Sequence, residues 1–369
     1  MSMSVGSLCL LAWLLLAPLA GGAVVRTVTL GIVAPPSEPD AMSLLRGVQQ
    51  AVVAANETGQ APVVLEVRSE GGQWGSAGND AVILVSERNV DAIIAPSDGA
   101  ATHLILQVSG RMRVPVASIC SDASVTDAGI PWTVRVVPRT DQEAEALFSA
   151  ARRPDGSPLH WWAVVPAGRP GRAVRRDLET AARFSSTRVD RMVDGDDPKM
   201  DLAFLVNAVV ASAPDGVLLW LSPTRAGTVA AALRAAGYVG RFGGPAQLES
   251  PEFVAAAGVA AAGFLVTGFR TDADSRARAE TFGKRYQQRY DARPDFSAAA
   301  AYDAAWVLIQ ALRRAGRGDG DRQFPLALPT VGVTGVLHFD RFGNRTDTLQ
   351  VLSCQEGCFI SNPQQDSKP

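Results

Sequence analysis

Two short polar loops carry the side chains that could do chemistry in this sequence. The first is Ser97-Asp98-Gly99-Ala100, and the second is Cys120-Ser121-Asp122. Each follows a short apolar run, Ala92-Ile93-Ile94-Ala95 and Val114-Pro115-Val116-Ala117. Hydroxyls and carboxylates grouped in this way suit hydrogen bonding to a small polar molecule. The backbone N–H groups that open a helix after Gly99 could also receive an anion. A nucleophile is the competing chemistry. Cys120 would need an activating base, and His103 is the only histidine close in sequence. There is no G-x-S-x-G elbow, Walker A loop or H-E-x-x-H pair. His103, His160 and His338 stand apart with no metal-type spacing, so neither a metal nor a cofactor is expected. Cys354 and Cys358 flank Gln355-Glu356-Gly357, a turn between apolar runs. In an oxidising compartment a bridge could close that hairpin.

The loops need a framework, and the surrounding pattern supplies one. The stretch from 91 to 127 reads as strand, loop, helix, strand, loop. Two consecutive parallel strands put both loops at the same carboxyl edge of a sheet, where ligands bind in open α/β folds. Strand and helix alternate before this stretch and after it. Arg26–Val33 and Val63–Val67 read as strands, and Ala41–Asn56 as a helix with one apolar face. Trp161–Val165 and Gly216–Leu221 read as buried strands, and Arg169–Phe184 and Thr224–Ala236 as helices. Two long helices, Asp274–Tyr290 and Ser297–Ala315, precede a Gly-rich break. This alternation predicts parallel sheets covered on both faces. Trp74, in the Gly-rich loop 71–75, either walls a cleft at the sheet edge or caps the first core.

Composition bounds the class. The chain has 369 residues, 47% of them apolar, and a net charge of −2, which fits roughly two domains of ~150 residues. That charge gives no electrostatic case for nucleic acid or for an anionic membrane. Val5 to Ala20 is apolar and uncharged, and Gly21-Gly22-Ala23 follows with small residues. Residues 1–23 read as a secretory signal peptide, and no later stretch is apolar enough for a stable membrane insertion. Residues 362–369 read as a disordered tail.

Several segments resemble those of periplasmic ligand-binding proteins of the branched-chain amino acid type, the receptors of ABC importers with the type I fold. Val90-Asp91-Ala92-Ile93-Ile94-Ala95-Pro96 is similar to the family's first strand–turn signature. Thr126-Asp127-Ala128-Gly129-Ile130-Pro131 running on to Pro138 is similar to the segment leading into its hinge. Pro214-Asp215-Gly216-Val217, Gly263-Phe264-Leu265-Val266-Thr267, Ala300-Ala301-Tyr302-Asp303 and Val333-Thr334-Gly335-Val336-Leu337 fit in the same order. The resemblance implies an α/β protein with two doubly wound parallel-sheet lobes, a hinge of about three crossovers and an interlobe cleft. It places lobe 1 at 24–139 plus 269–344 and lobe 2 at 140–268 plus 345–361. It implies a periplasmic location and, as partners, a small-molecule ligand and an ABC permease and ATPase complex. A sensor that passes closure to a signalling protein is the alternative use of the same lobes.

The family's ligand-contacting positions fall on residues of other types here. In the first lobe the usual serine falls on Gly99, with Asp98 before it and Ala100 after it. The usual threonine falls near Ser121, between Cys120 and Asp122. In the second lobe the positions of aromatic side chains fall on Pro170 and on Leu221 or Ser222. The position of the acid that pairs an ammonium falls on Pro245, Ala246 or Gln247. Either Asp98 or Asp122 substitutes as the partner of an ammonium, or the ligand is a small neutral or weakly polar organic molecule and not an α-amino acid. The second fits the departures better. With no catalytic motif, a non-catalytic receptor is expected.

Overall fold

The computed structural model describes residues 26–34, 40–68, 75–153, 155–197, 200–315 and 329–361. The readings of residues 1–23, Trp74 and residues 362–369 fall outside them. The first sheet has five strands in the order β2-β1-β3-β4-β5. These are β1 (Val28–Val33), β2 (Val63–Arg68), β3 (Ala92–Ala95), β4 (Val116–Ser118) and β5 (Thr133–Arg135). All its pairings are parallel.

Helix α1 (Ala41–Asn56) covers one face because Leu44, Val48, Ala51 and Ala55 recur at helical spacing and are buried. It lies against α11 (Phe296–Ala315). Their approach needs Gly47, since a Cβ there would sit 2.1 Å from the carbonyl oxygen of Ala298. Helices α2 (Ser76–Ser86) and α3 (Gly99–Met112) cover the other face, where Ala81, Leu84, Ile93 and Ile105 are buried together.

The second sheet repeats the plan in the order β14-β13-β10-β9-β8-β6-β7. Its parallel part comprises β6 (His160–Val165), β7 (Arg188–Asp194), β8 (Gly216–Leu219), β9 (Arg241–Gly244) and β10 (Leu265–Phe269). Every residue of β8 is buried, as expected of a strand covered on both faces. Helices α5 (Thr140–Ala150) and α6 (Gly168–Phe184) cover one face over Leu147, Phe148, Trp161 and Leu178. Helices α7 (Leu202–Ser212), α8 (Pro223–Ala235) and α9 (Pro251–Ala257) cover the other over Val209, Leu219, Val229 and Phe253. A one-turn helix, α4 (Ser124–Asp127), occupies part of the stretch whose pattern reads as loop.

The chain passes between the sheets after β5, after β10 and before β13 (Leu349–Gln355). After β10 it returns to the first core through α10 (Ala273–Tyr290), whose Phe282 and Tyr286 pack there with Tyr302 of α11. A small hairpin, β11 (Thr330–Val331) and β12 (Val336–Leu337), follows. The protein thus has two doubly wound lobes joined by three crossovers. The departure from wholly parallel sheets is at one edge of the second, where β13 and β14 (Cys358–Ser361) run antiparallel.

That edge corrects the disulfide expectation. Cys354 is buried, Cys358 is exposed, and both are free thiols. The hairpin turns in two residues, Glu356 and Gly357, both with positive φ. Gln355 therefore pairs with Cys358, and Cys354 with Phe359. Side chains alternate along a strand, so the two cysteines point to opposite faces and cannot bridge without backbone movement.

Candidate functional site

The carboxyl edges of the two parallel sheets face one another across a cleft. On the first edge, β3 ends at Ala95 and the chain turns through Pro96 and Ser97 to Asp98. Asp98 is extended and caps α3, its Oδ1 accepting the Ala101 N–H at 2.7 Å. The hydroxyl of Thr102 ties the turn by donating to the Pro96 carbonyl at 3.0 Å.

The second loop of this edge is held from beneath by Arg135 of β5, which is fully buried. Its guanidinium donates to the carbonyls of Cys120, Asp122 and Ala123 at 3.0, 2.6 and 3.1 Å, and to the hydroxyl of Thr126. A planar fork of donors matches a loop whose carbonyls converge.

Asp122 leans over the start of α3. Its Oδ2 lies 3.0 Å from where a Cβ on Gly99 would be. Its Oδ1 accepts from the Ser124 N–H at 3.0 Å, from the Ser124 hydroxyl at 2.8 Å and from Arg176 Nη2 of α6 at 2.9 Å. Burial works to raise its pKa, but these bonds outweigh it and hold the carboxyl below the usual range. The Ser124 hydroxyl is committed to Asp122, so His103 Nε2, at 2.9 Å, is its donor. Arg176 also binds Asp177 beside it. Asp177 in turn reaches the Ala123 N–H across the gap at 3.5 Å. The lobes are therefore clasped at this lip.

The floor of the cleft adjoins the first crossover. The carbonyl of Ser121 accepts the Thr140 N–H at 3.1 Å, and the two hydroxyls lie 3.3 Å apart. One turn further into α5, Glu143 is buried. Its Oε1 accepts the Ala246 N–H at 2.8 Å and the Thr267 hydroxyl at 2.7 Å. Among the described residues no cation balances this carboxyl, and burial pushes it up to about 7 despite the two bonds.

Further carboxyls gather where α1 and α11 begin. Asp40 accepts from Ser97 at 3.0 Å and Ser297 at 3.3 Å, and Asp295 accepts from Ser43 at 2.7 Å. Burial raises both above the ordinary range. Glu249, pushed up to about 7 by burial, follows β9, and its carbonyl accepts the Phe296 N–H at 3.3 Å from the other lobe.

The structure brings Asp98, Gly99, Ala100, Ser121 and Asp122 together on one lip, as the two-loop argument required. Pro170 is exposed at the start of α6 on the opposite lip, Ser222 is exposed at the start of α8, and Gln247 is half-buried in a 3-10 turn at Ala246–Leu248. Leu221 does not line the cleft. It packs into the second core, and a Cβ on Gly195 would meet it at 2.9 Å. Cys120 also faces inward, and burial raises its thiol to about 12. A thiol so far from ionising is no nucleophile at neutral pH. Among the described residues no group of three or more His, Cys, Asp or Glu could hold a metal, and no helix is long and apolar enough to cross a membrane.

Arg135, Glu143 and Arg176 were not singled out from the sequence. Nothing local distinguishes a charged residue that will be buried by distant carbonyls.

A family model described as periplasmic binding protein matches residues 27–350. No curated protein matches the sequence. Among solved structures, a leucine-binding protein of Thermotoga maritima shares 20% identity at a TM-score of 0.76, over 92% of this chain and 99% of that one. A branched-chain amino acid substrate-binding protein of Streptococcus pneumoniae, in complex with isoleucine, shares 16% at 0.77, over 91% and 100%. A solute-binding protein of an ABC transporter from R. palustris, in complex with benzoate, shares 15% at 0.77, over 91% and 95%. At such identities these likenesses establish the fold.

Proposed function

Because the chain belongs to the periplasmic binding protein family, we propose that it is the extracytoplasmic receptor of an ABC importer, closing on a small organic solute. The observation that carries this reading is the pair of facing carboxyl edges, already touching at Asp122–Arg176 and Ser121–Thr140. Such an arrangement lets a solute bias an open–closed equilibrium by contacting both lips at once. The permease and ATPase would be its partners and the periplasm its location. The lobes divide at the crossovers, 24–139 plus 269–344 and 140–268 plus 345–361.

The solute presents an uncharged, weakly polar end to the first lip. An anion at the start of α3 would face the carboxylates of Asp98 and Asp122. At about 4 Å each such contact costs ~1 kcal/mol in water and ~4 kcal/mol in a partly buried site, and Arg176 balances only one of the two. The hydroxyl of Ser121 can donate to and accept from hydroxyl or amide groups, and the carboxylate of Asp98 can accept from them.

Thermal-shift screening against amides, alcohols, organic acids and amino acids tests both parts. A true solute at 100 times its Kd should add about 2.7 kcal/mol. A leucine or valine shift of that size would refute the uncharged-solute assignment and leave the receptor. No shift across the panel, with no small molecule released on denaturing the purified protein, would sink the receptor reading.

A further inference from the structure

Three segments join the lobes, and one side chain touches all of them. Arg345 lies in the third crossover, with its side chain fully buried. Its Nη1 donates at 3.0 Å to the carbonyl of Val136 in the first crossover. Its guanidinium carbon lies 3.4 Å from the ring centroid of Phe269, where β10 gives way to the second crossover. Its Nε donates at 2.6 Å to Asp347, in its own crossover.

The same guanidinium is anchored to the first lobe. Nη1 donates to the Thr334 hydroxyl at 2.6 Å and Nη2 to the Thr334 carbonyl at 3.2 Å. Thr334 is fixed in turn by Asp303 of α11, whose carboxylate takes the Val333 and Thr334 N–H groups at 2.7 and 2.9 Å. Gly335 has a φ of +133°, and a Cβ there would lie 2.9 Å from Arg345 Nη2. The cage around the guanidinium thus leaves no room for a side chain on that turn.

An apolar residue could fill this space without the desolvation cost of a buried charge. What it could not do is reach three separate strands of chain at once. A planar fork can donate in several directions while its face stacks on an aromatic ring. We infer that Arg345 is the pivot of lobe closure, about which the three crossovers turn as one hinge and do not bend independently. This assignment rests on the receptor reading, because closure is the motion the pivot guides. Arg345 acts as a positioning residue, because its contacts are with the crossovers and Thr334 and not with the two loops assigned to the solute.

The test measures interlobe distance in the solute-free full chain. Spin labels at Glu87→Cys and Arg183→Cys report it, in a Cys358→Ser background. Both positions are exposed and lie away from the cleft, after α2 and near the end of α6. The parent should give a narrow distance distribution. Arg345→Lys keeps the charge but loses the fork and the stack, and should widen the distribution and shift it. Phe269→Leu removes only the stack; it should widen the distribution less, and it carries the test if the lysine variant does not fold.

A role confined to stability would lower the melting temperature and leave the distance distribution of the folded molecules unchanged, and that result overturns the inference. Loss of the receptor reading has a different signature. The variants would still widen the distribution, while no compound in the screening panel would shift that of the parent.

Discussion

Glu143 gives the sharpest test of how the cleft floor is built. Its carboxyl sits at about 7 in the folded protein against an ordinary 4.5, because burial outweighs the bonds from Ala246 and Thr267. The folded state therefore holds this proton more tightly than the unfolded chain. Its contribution to stability is fully present below pH ~4.5 and is lost as pH rises through about 7. At ~1.36 kcal/mol per pH unit the full difference is roughly 3 kcal/mol. Glu143→Gln keeps an acceptor oxygen for both donors and removes the ionisation. The variant should match the parent near pH 4.5 and exceed it by roughly 2 to 3 kcal/mol at pH 8.5. Urea unfolding of both proteins across that range reads this out, and Glu249 cancels because it is present in each. Parallel stability curves would refute the argument and mean that Glu143 ionises freely in the folded protein.

Arg135→Met should remove the donor for three loop carbonyls and destabilise by roughly 3–5 kcal/mol, with amide exchange rising first in 120–126. Arg176→Met should cost under ~1 kcal/mol in denaturant unfolding, since the Arg176 side chain is half exposed. It should nevertheless lengthen the solute-free interlobe distance, and high salt should do the same by screening the pair. Thiol titration under native conditions should modify Cys358 alone among Cys120, Cys354 and Cys358, with the other two reacting only after unfolding. Loss of Cys354 and Cys358 together on mild oxidation of the native protein would contradict the hairpin register.

The amino-acid sequence by itself determined the elements and their alternation. Apolar residues at 44, 45, 48, 52 and 53 read as one helical face, and Gly216–Leu221 as a covered strand. Once strand and helix alternate, the carboxyl ends of β3 and β4 fall at one edge, so Ser97–Ala100 and Ser121–Asp122 had to be neighbours. Tertiary structure alone decided which side chains reach the cleft and what they meet there. Leu221 and Cys120 sit at the ends of strands, where a shift of one residue exchanges core for cleft. Cys354 and Cys358 are separated by a two-residue turn, which sends them to opposite faces. Arg345 finds Val136 across 209 residues, Glu143 finds Thr267 across 124 and Arg176 finds Asp122 across 54. Local periodicity reports what each segment must bury, but the partner of a buried charge is chosen by how whole lobes pack, and that choice leaves no mark at either position.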